Sequence, residues 1–335
     1  MAHARRCIVL FSGGLDSMLA VRILQEQGVA VEALNFKTIF TCCQDQAGQA
    51  AHKLGVPLTV FSQEDDYLDL VRKPRFGYGK GANPCVDCRI YMFERALGYL
   101  RRSGADFLAS GEVVGQRPMS QKRRDLDVIA HHSGGENLLL RPLCAKRLPP
   151  TLPEREGWVD RDGLYDFVGR SRKPLIALAR RLGIEEIPAP SNGCALTEKQ
   201  FAHKVHDLIQ LEPAAGRWDY ELLLVGRHFR FGPATKVVVG RTESDNAALA
   251  YLHELPESRS AALLRPVGFR GPTVLVVGDS SDAAIDYAVG MIVRYGAPEA
   301  ALGGAIEVSQ AGGTRMVEGQ ASPAAEAAKT LAAAR

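Results

Sequence analysis

The sequence predicts a doubly wound parallel α/β sheet followed by a second, smaller α+β domain. Apolar strands alternate with amphipathic helices between residues 7 and 61, and this β-α-β-α-β order is typical of parallel sheets. The first apolar run, residues 7–11, ends in a serine–glycine turn that leads straight into a helical pattern. A second set of elements follows from residue 217 to 296, with strands predicted at 220–225, 236–239 and 274–277 and helices at 245–255 and 282–295.

The turn after the first strand has the composition of a phosphate-binding loop. Paired glycines let the backbone approach an anion closely, and the amides at a helix start point towards it. Two hydroxyls can donate further hydrogen bonds, whereas the aspartate is suited to capping the helix or holding a metal ion that bridges to phosphates. The residues predicted to bind ATP phosphates here are Ser12, Gly13, Gly14, Asp16 and Ser17.

The carboxyl ends of neighbouring strands are expected to complete this nucleotide site. Ligands of open parallel sheets bind beyond those ends. Asn35 and Phe36 close the second strand and are candidates for adenine contacts, although Phe36 is nearly as well suited to the core. Gly111 ends a later strand, at 105–111, and is predicted to lie at the same edge. The spacings of the Walker loop and of the dinucleotide fingerprint G-x-G-x-x-G are absent from the turn.

Composition bounds the class of protein. The chain has 335 residues, of which 46% are hydrophobic, enough for two folded domains. No apolar run reaches the roughly 20 residues that span a bilayer, and the first residues do not resemble a signal peptide. An odd number of cysteines, seven, favours reduced thiols, metal ligation or catalysis over disulfides. We therefore expect a cytoplasmic protein with no membrane association.

The charge distribution points to a polyanionic partner. Residues 71–182 hold 22 Lys and Arg against 12 Asp and Glu, although the whole chain has a net charge of only +3. A basic, glycine-rich loop with aromatic residues spans 72–80, and a cluster of cations precedes a helix at 169–173. The residues predicted to contact RNA in this region are Arg75, Lys80, Arg170, Arg172 and Lys173.

Three cysteines stand out by their setting. Cys85 and Cys88 are three residues apart at a predicted helix start, so they share one face. Cys194 follows a Ser-Asn-Gly turn. Three thiolates suit a [4Fe–4S] cluster with one open iron, or a persulfide relay. A buried structural pair with an unrelated loop cysteine is the alternative. The predicted metal ligands are therefore Cys85, Cys88 and Cys194.

Together these segments resemble the PP-loop ATP pyrophosphatase superfamily. Ser12-Gly-Gly-Leu-Asp-Ser17 matches its loop, and Asn83-Pro-Cys85-x-x-Cys88, Gly111-Glu112 and Ser191-Asn-Gly-Cys194 are similar to segments of tRNA thiouridine synthetases. The resemblance implies a fold of the adenine nucleotide alpha hydrolase type and thiolation of a tRNA uridine at the 2- or 4-position. It further implies ATP and Mg²⁺ as cofactors, a sulfide or persulfide carrier as sulfur donor, and Cys88, Cys194 and Asp16 as catalytic residues. Cys85 stands where the 2-thiouridylase type has an aspartate.

The resemblance covers residues 7 to about 207 and leads to a four-part organisation. We predict a PP-loop domain at 1–182, a connector carrying Cys194 at 183–212, an α+β domain at 213–300 and a low-complexity tail at 301–335. The third part resembles the RNA-associated domain of NFACT proteins, with Arg227 and Arg230 as local RNA contacts. Its 211–300 stretch holds 9 Lys and Arg against 11 Asp and Glu, which argues against a general basic patch.

Two rival functions remain open at this stage. One is a PP-loop amidotransferase or ligase acting on a small acid, which leaves the three cysteines unexplained. The other is a non-catalytic RNA-binding metal protein with a decayed loop, which the intact Ser12, Asp16 and Ser17 argue against. The oligomeric state is also open, with a homodimer as one option.

Overall fold

The computed structural model describes residues 4–41, 46–190 and 193–332 and divides them into two compact units. The first unit runs to Cys194, except that Lys80–Ala82 group with the second unit, which begins at Ala195.

The first unit is built on a parallel sheet of five strands in the order β3-β2-β1-β4-β5. Its strands are β1 (Arg6–Leu10), β2 (Ala30–Lys37), β3 (Leu58–Ser62), β4 (Phe107–Ser110) and β5 (Leu139–Leu140). Its helices are α1 (Leu15–Glu26), α2 (Gln46–Leu54), α3 (Asp66–Arg72), α4 (Cys85–Ser103), α5 (Arg123–Ser133), α6 (Leu152–Arg155) and α7 (Lys173–Arg181). The doubly wound α/β fold predicted from the sequence is confirmed.

Side-chain alternation along β1 explains why both faces of the sheet are covered. Val9 packs with the helix face that holds α1, α2 and α7, whereas Ile8 and Leu10 pack on the opposite face with α4 and α5. A strand with apolar residues at every position must be buried on both sides. Because all five strands are parallel, the loops after β1, β4 and β5 emerge at one edge.

The second unit contains a six-stranded antiparallel sheet in the order β11-β10-β8-β9-β7-β6. Its strands are β6 (Arg227–Gly232), β7 (Thr235–Val239), β8 (Ser260–Pro266), β9 (Val274–Gly278), β10 (Ala305–Gln310) and β11 (Gly313–Glu318). Its helices are α8 (Lys199–Leu211), α9 (Arg217–Leu222), α10 (Glu243–Glu254), α11 (Asp282–Tyr295) and α12 (Pro323–Ala327). The smaller α+β unit is therefore confirmed as well.

Two predicted features of this unit are wrong. The strand expected at 220–225 is instead the end of helix α9, up to Leu222, followed by a turn; Trp218 and Leu222 lie four residues apart on this helix and pack against the sheet. The Asp219 carboxylate accepts a hydrogen bond from the Gly216 amide, 2.8 Å away, and so caps this helix.

The tail expected at 301–335 is largely folded, so the boundary at 300 does not mark the end of the second unit. Strand β10 pairs with β8 in the sheet, and β11 pairs with β10. Helix α12 packs against α11 where Gly290 leaves room; a side chain there would meet Ser322 and Ala325. The Arg294 guanidinium donates hydrogen bonds to the carbonyls of Ala325 and Ala328, 2.7 and 2.8 Å away. The many small residues of this stretch predicted a disordered segment. In the structure, small side chains are what allow α12 to pack closely on α11.

Candidate functional site

The serine–glycine turn lies between β1 and α1 at the carboxyl edge of the sheet. Gly14 takes an extended conformation ahead of the helix, and no side chain caps the first-turn amides. The Ser17 hydroxyl donates to the Gly14 carbonyl at 2.8 Å and lies 3.5 Å from the Ser12 hydroxyl. Gly13 has φ +73°, and a Cβ there would come 2.7 Å from the Gln46 carbonyl oxygen. Backbone amides and two hydroxyls therefore converge as an anion site requires.

Gly111 brings the loop after β4 against this turn. A Cβ at Gly111 would lie 2.6 Å from the Ser17 amide nitrogen and closer still to the Asp16 carbonyl group. Such approaches are far below normal contact distances, so only glycine fits without displacing the backbone. Gly111, which was predicted to bind the nucleotide, is therefore the point where the loop after β4 contacts the loop after β1, and it sets the spacing between them.

Asp16 is surrounded by groups from two other loops. Asp16 does not cap α1, because Gly14 occupies the capping position. Of the two roles expected for Asp16, cation binding is therefore the one that stays a prediction. Burial raises the pKa of its carboxyl group, opposed by a hydrogen bond from Gln116 and by the charges of Arg117 and Arg172. Two arginines thus lie near the carboxylate and near the turn where phosphates are expected.

Glu112 connects the turn region to the start of α4. Its side chain is 2% exposed, and one oxygen binds the Arg141 guanidinium at 2.9 Å and the Ser110 hydroxyl at 3.1 Å. The other oxygen lies 3.7 Å from the Arg89 guanidinium, and Arg89 directly follows Cys88. Since Gly111 touches Asp16 and Ser17, a short series of contacts links the phosphate turn to the thiols.

The structure brings the three predicted thiols together. Burial raises the pKa of Cys88 to about 11. The hydrogen bond from Tyr67 and the charge of Arg89 lower this pKa by smaller amounts. The nearby thiols of Cys194 and Cys85 raise it, which shows that the three cysteines are neighbours. The Tyr67 hydroxyl donates to Cys88 Sγ at 3.4 Å, and Asn83 Nδ2 donates to Cys85 Sγ at 3.0 Å. Ser191 and Asn192 of the third segment lie outside the described residues.

This arrangement does not fit a metal cluster as it stands. Across residues 4–41, 46–190 and 193–332, no three Cys, His, Asp or Glu side chains are placed to hold a metal ion together. The chemistry proposed below therefore uses the sulfur atoms directly.

Asn35 and Phe36 are placed differently from the adenine contacts predicted for them. The Asn35 side-chain amide donates to the Phe11 carbonyl at 2.7 Å, which ties the ends of β1 and β2 together. Phe36 packs edge-on against Phe61, with ring centroids 5.6 Å apart, on the α4 face of the sheet. Phe36 is therefore half-buried against the core, Asn35 shapes the edge of the sheet, and their contacts with adenine stay a prediction.

The predicted RNA contacts of the first unit are mostly exposed cations. Arg75, Arg170 and Lys173 are exposed, and so is Lys80, which groups with the second unit. Arg172 is half-buried, donates to the Pro188 carbonyl at 2.9 Å and lies near Asp16. Its position suits a nucleotide phosphate better than an RNA backbone.

Arg230, a predicted RNA contact in the second unit, is instead an internal ion-pair residue. Its guanidinium binds Asp207 at 2.8 Å and Glu212 at 3.0 Å, and its side chain is only 13% exposed. The buried ammonium of Lys236 lies 3.6 Å from the same Glu212 carboxylate. Arg227 stacks over the Tyr295 ring at 5.0 Å. Of the pair predicted to bind RNA, only Arg227 remains a candidate.

Lys204 gives this unit a pH dependence that can be measured. Burial, with the Arg241 charge, lowers the pKa of Lys204 to about 8, while its ammonium donates to the carbonyls of Leu223 and Gly226. The unfolded chain keeps this proton up to about pH 10.5, so unfolding takes up a proton between pH 8 and 10.5. The contribution of Lys204 to the free energy of unfolding must therefore rise with pH between pH 8 and 10.5.

We expect Lys204→Met to remove this rise, which amounts to at most about 3 kcal/mol. The measurement is the free energy of unfolding in urea at several pH values from 7.5 to 10.5, compared with wild type. Lys199→Met controls for loss of an exposed lysine from the same helix. Parallel pH profiles of Lys204→Met and wild type would contradict the assignment.

Three residues of the site were not predicted from the sequence. Gln116 and Arg117 approach Asp16, and Tyr67 binds Cys88. Gln116 and Arg117 follow Gly111 by five and six residues, so their place in a strand-end loop was a usable signal. Tyr67 lies on α3, whose packing against α4 has no local signature in the sequence.

Comparison with protein families defines the class to which this architecture corresponds. Residues 5–133 match the model described as "tRNA methyl transferase HUP domain", and residues 226–330 match "NFACT protein RNA binding domain". The chain thus has one segment similar to a HUP domain and a second segment similar to the RNA-binding domain of NFACT proteins. The second match extends past residue 300, in agreement with the folded carboxyl-terminal strands.

More particularly, the chain is similar to tRNA-specific 2-thiouridylases, which confirms the resemblance to PP-loop thiouridine synthetases. It is 28% identical over 250 residues to the enzyme of Methylobacterium radiotolerans, covering 68% of this chain and 61% of that protein. It is 31% identical over 151 residues to the enzyme of Pelobacter propionicus, covering 42% of each. The chain therefore spans less than two thirds of the length of either relative.

A solved structure titled as a 4-thiouridine synthetase–RNA complex with bound ATP also matches. It is 21% identical, covers 63% of this chain and 52% of that one, and has a TM-score of 0.39. Among the described residues, none of the helices is long and apolar enough to cross a membrane.

Proposed function

We propose that the protein thiolates a tRNA uridine in an ATP-dependent reaction. The observation that carries the proposal is the position of Gly111-Glu112. Gly111 touches the phosphate turn at Asp16 and Ser17, and Glu112 pairs with Arg89 beside Cys88. An adenylating loop and a group of thiols are thereby held at one edge of one sheet.

In the first step, the uridine carbonyl oxygen attacks the α-phosphorus of ATP and pyrophosphate leaves. The turn amides and the hydroxyls of Ser12 and Ser17 bind the phosphates, and Arg117 and Arg172 lie where they can neutralise the leaving group. Asp16 supplies one carboxylate for Mg²⁺, which typically takes one or two carboxylates together with phosphate oxygens.

In the second step, sulfur attacks the activated ring carbon and AMP departs with the former carbonyl oxygen. The sulfur arrives as a persulfide on Cys88 or Cys194, or as sulfide from a carrier protein. When Cys88 carries a persulfide, the second thiol can attack its inner sulfur. This forms a Cys88–Cys194 disulfide and releases the outer sulfur to the uridine. An external dithiol, or two equivalents of a monothiol, then reduces the disulfide and is itself oxidised to a disulfide.

The test is a thiolation assay with ATP, a small-molecule persulfide as sulfur donor, and tRNA, followed by digestion to nucleosides. We expect Ser17→Ala and Asp16→Asn to lose both pyrophosphate release and thiolated nucleoside, each at least about tenfold. Cys88→Ser and Cys194→Ser should keep a single turnover of pyrophosphate and lose the thiolated product. Cys7→Ala, at the start of β1, is the control for removing a cysteine elsewhere. Pyrophosphate release that does not depend on tRNA would overturn the proposal.

The same preparation decides between sulfur carriers. Iron and labile sulfide bound to protein purified without oxygen would establish the cluster at Cys85, Cys88 and Cys194 and replace the persulfide route. Zinc would establish a structural site. We expect metal-free protein that is active with a persulfide donor.

A further inference from the structure

One exposed cluster in the first unit is not used by the chemistry above. We call it the aromatic platform, formed by Arg75, Phe76 and His132. Phe76 is 37% exposed, its ring centroid lies 5.2 Å from that of His132, and the Arg75 guanidinium lies 5.3 Å from the Phe76 ring. Arg75 also lies 3.4 Å from the His132 imidazole. A large apolar ring is thus presented at the surface between two polar, planar groups.

The loop that carries Phe76 is held in place at both ends. The Asp87 carboxylate is 7% exposed, and its two oxygens accept the amides of Arg75 at 2.9 Å and Phe76 at 3.1 Å. Further along, the Tyr78 hydroxyl bonds the carbonyls of Val71 and Arg72. A ring held this way loses little conformational freedom when a ligand binds to it.

The platform is joined to the thiol site by the same helical turn. Asp87 lies between Cys85 and Cys88 in the first turn of α4, where one turn rises about 5.4 Å. The contacts that position Phe76 therefore originate in the segment that positions Cys88. A ligand on the platform therefore contacts a loop that is anchored to the same helical turn as Cys85 and Cys88.

We propose that the aromatic platform stacks an unpaired base of the RNA substrate, next to the nucleotide that is modified. This inference rests on the proposed function for the identity of the RNA. Aromatic and guanidinium planes are the groups on which splayed RNA bases stack, and the positive surroundings suit the adjoining phosphate. The excess of Lys and Arg over residues 71–182 favours this occupant over a basic or apolar protein surface.

The test is binding of end-labelled bulk tRNA at fixed salt, measured by filter retention. We expect Phe76→Leu to weaken binding about tenfold, because leucine keeps an apolar side chain but removes the stacking plane. Phe76→Trp should bind as tightly as wild type. Val60→Ala, a 43% exposed position of the same unit, is the control for loss of exposed apolar surface and should not change affinity.

Two further readouts separate stacking from other roles. Phe76→Leu should leave the slope of log affinity against log salt unchanged, whereas Arg75→Ala should reduce it by about one. Binding of a fully base-paired RNA duplex should not change in Phe76→Leu, because paired bases cannot stack on the ring.

The outcomes distinguish the two proposals. Wild-type affinity in Phe76→Leu, weak binding in Phe76→Trp, or an equal loss for duplex RNA would overturn the platform and leave tRNA thiolation standing. Failure of the wild-type protein to bind tRNA would overturn both.

Discussion

Gly111→Ala should abolish ATP binding and destabilise the first unit. The added Cβ would lie 2.6 Å from the Ser17 amide nitrogen and closer to the Asp16 carbonyl, where both neighbours are backbone and cannot rotate away. Overpacking of this kind costs about 1–3 kcal/mol or more. The helix start must move, and the amides that would bind phosphate move with it. The measurements are thermal unfolding and calorimetric titration with ATP and Mg²⁺.

Gly98→Ala is the matched control in the same unit. Gly98 lies inside α4, and a Cβ there would meet only the end of the Arg102 side chain, at 3.8 Å. Alanine is favoured over glycine in a helix by up to about 1 kcal/mol. Gly98→Ala should therefore stabilise slightly and leave ATP binding intact. Similar behaviour of the two variants would show that Gly111 is not a contact point.

The second large effect is expected from breaking the buried pair of Glu112 and Arg141. Arg141→Met leaves the Glu112 carboxylate 2% exposed, with its partner at 2.9 Å removed and the Ser110 hydroxyl and a more distant Arg89 as its remaining neighbours. Removing one partner of a buried ion pair costs about 3–5 kcal/mol. The free energy of unfolding from urea titration measures this loss.

Two further variants identify the cause of that loss. The double variant Glu112→Leu with Arg141→Met removes both charges and should regain most of the stability. Asp127→Ala breaks an exposed pair with Arg123, at 3.3 Å, and should change stability by less than about 1 kcal/mol. If the double variant is no more stable than Arg141→Met, the loss comes from packing rather than from an unpaired charge.

Local patterns were sufficient to predict the parallel sheet and the glycine turn between β1 and α1. Both depend on residues adjacent in sequence, or on the rule that parallel strand ends share an edge. The grouping of Cys194 with Cys85 and Cys88 depended instead on the resemblance to thiouridine synthetases. The pairing of Glu112 with Arg141 and the contacts of Asp16 with Gln116 and Arg172 depend on loops far apart in the chain. Tertiary contacts of that kind leave no periodic signal.

Other errors arose where one residue type suits two roles. Trp218 and Leu222 fit a strand or a short helix, and capping by Asp219 decides for the helix. The sequence around Arg230 is typical of a surface cation, but in the structure Asp207 and Glu212 lie beside it and pair with it. Whether the thiols carry persulfide or a metal depends on protonation and on small displacements, which sequence patterns do not encode.

The packing of α12 on α11 has a practical consequence for protein engineering. Shortening the chain before Pro323 would strip the cover from Gly290 and leave the Arg294 guanidinium without its two carbonyl acceptors. A fragment designed to isolate the second unit should therefore extend at least through Ala328, and an affinity tag is better joined beyond that residue than substituted for the terminal segment.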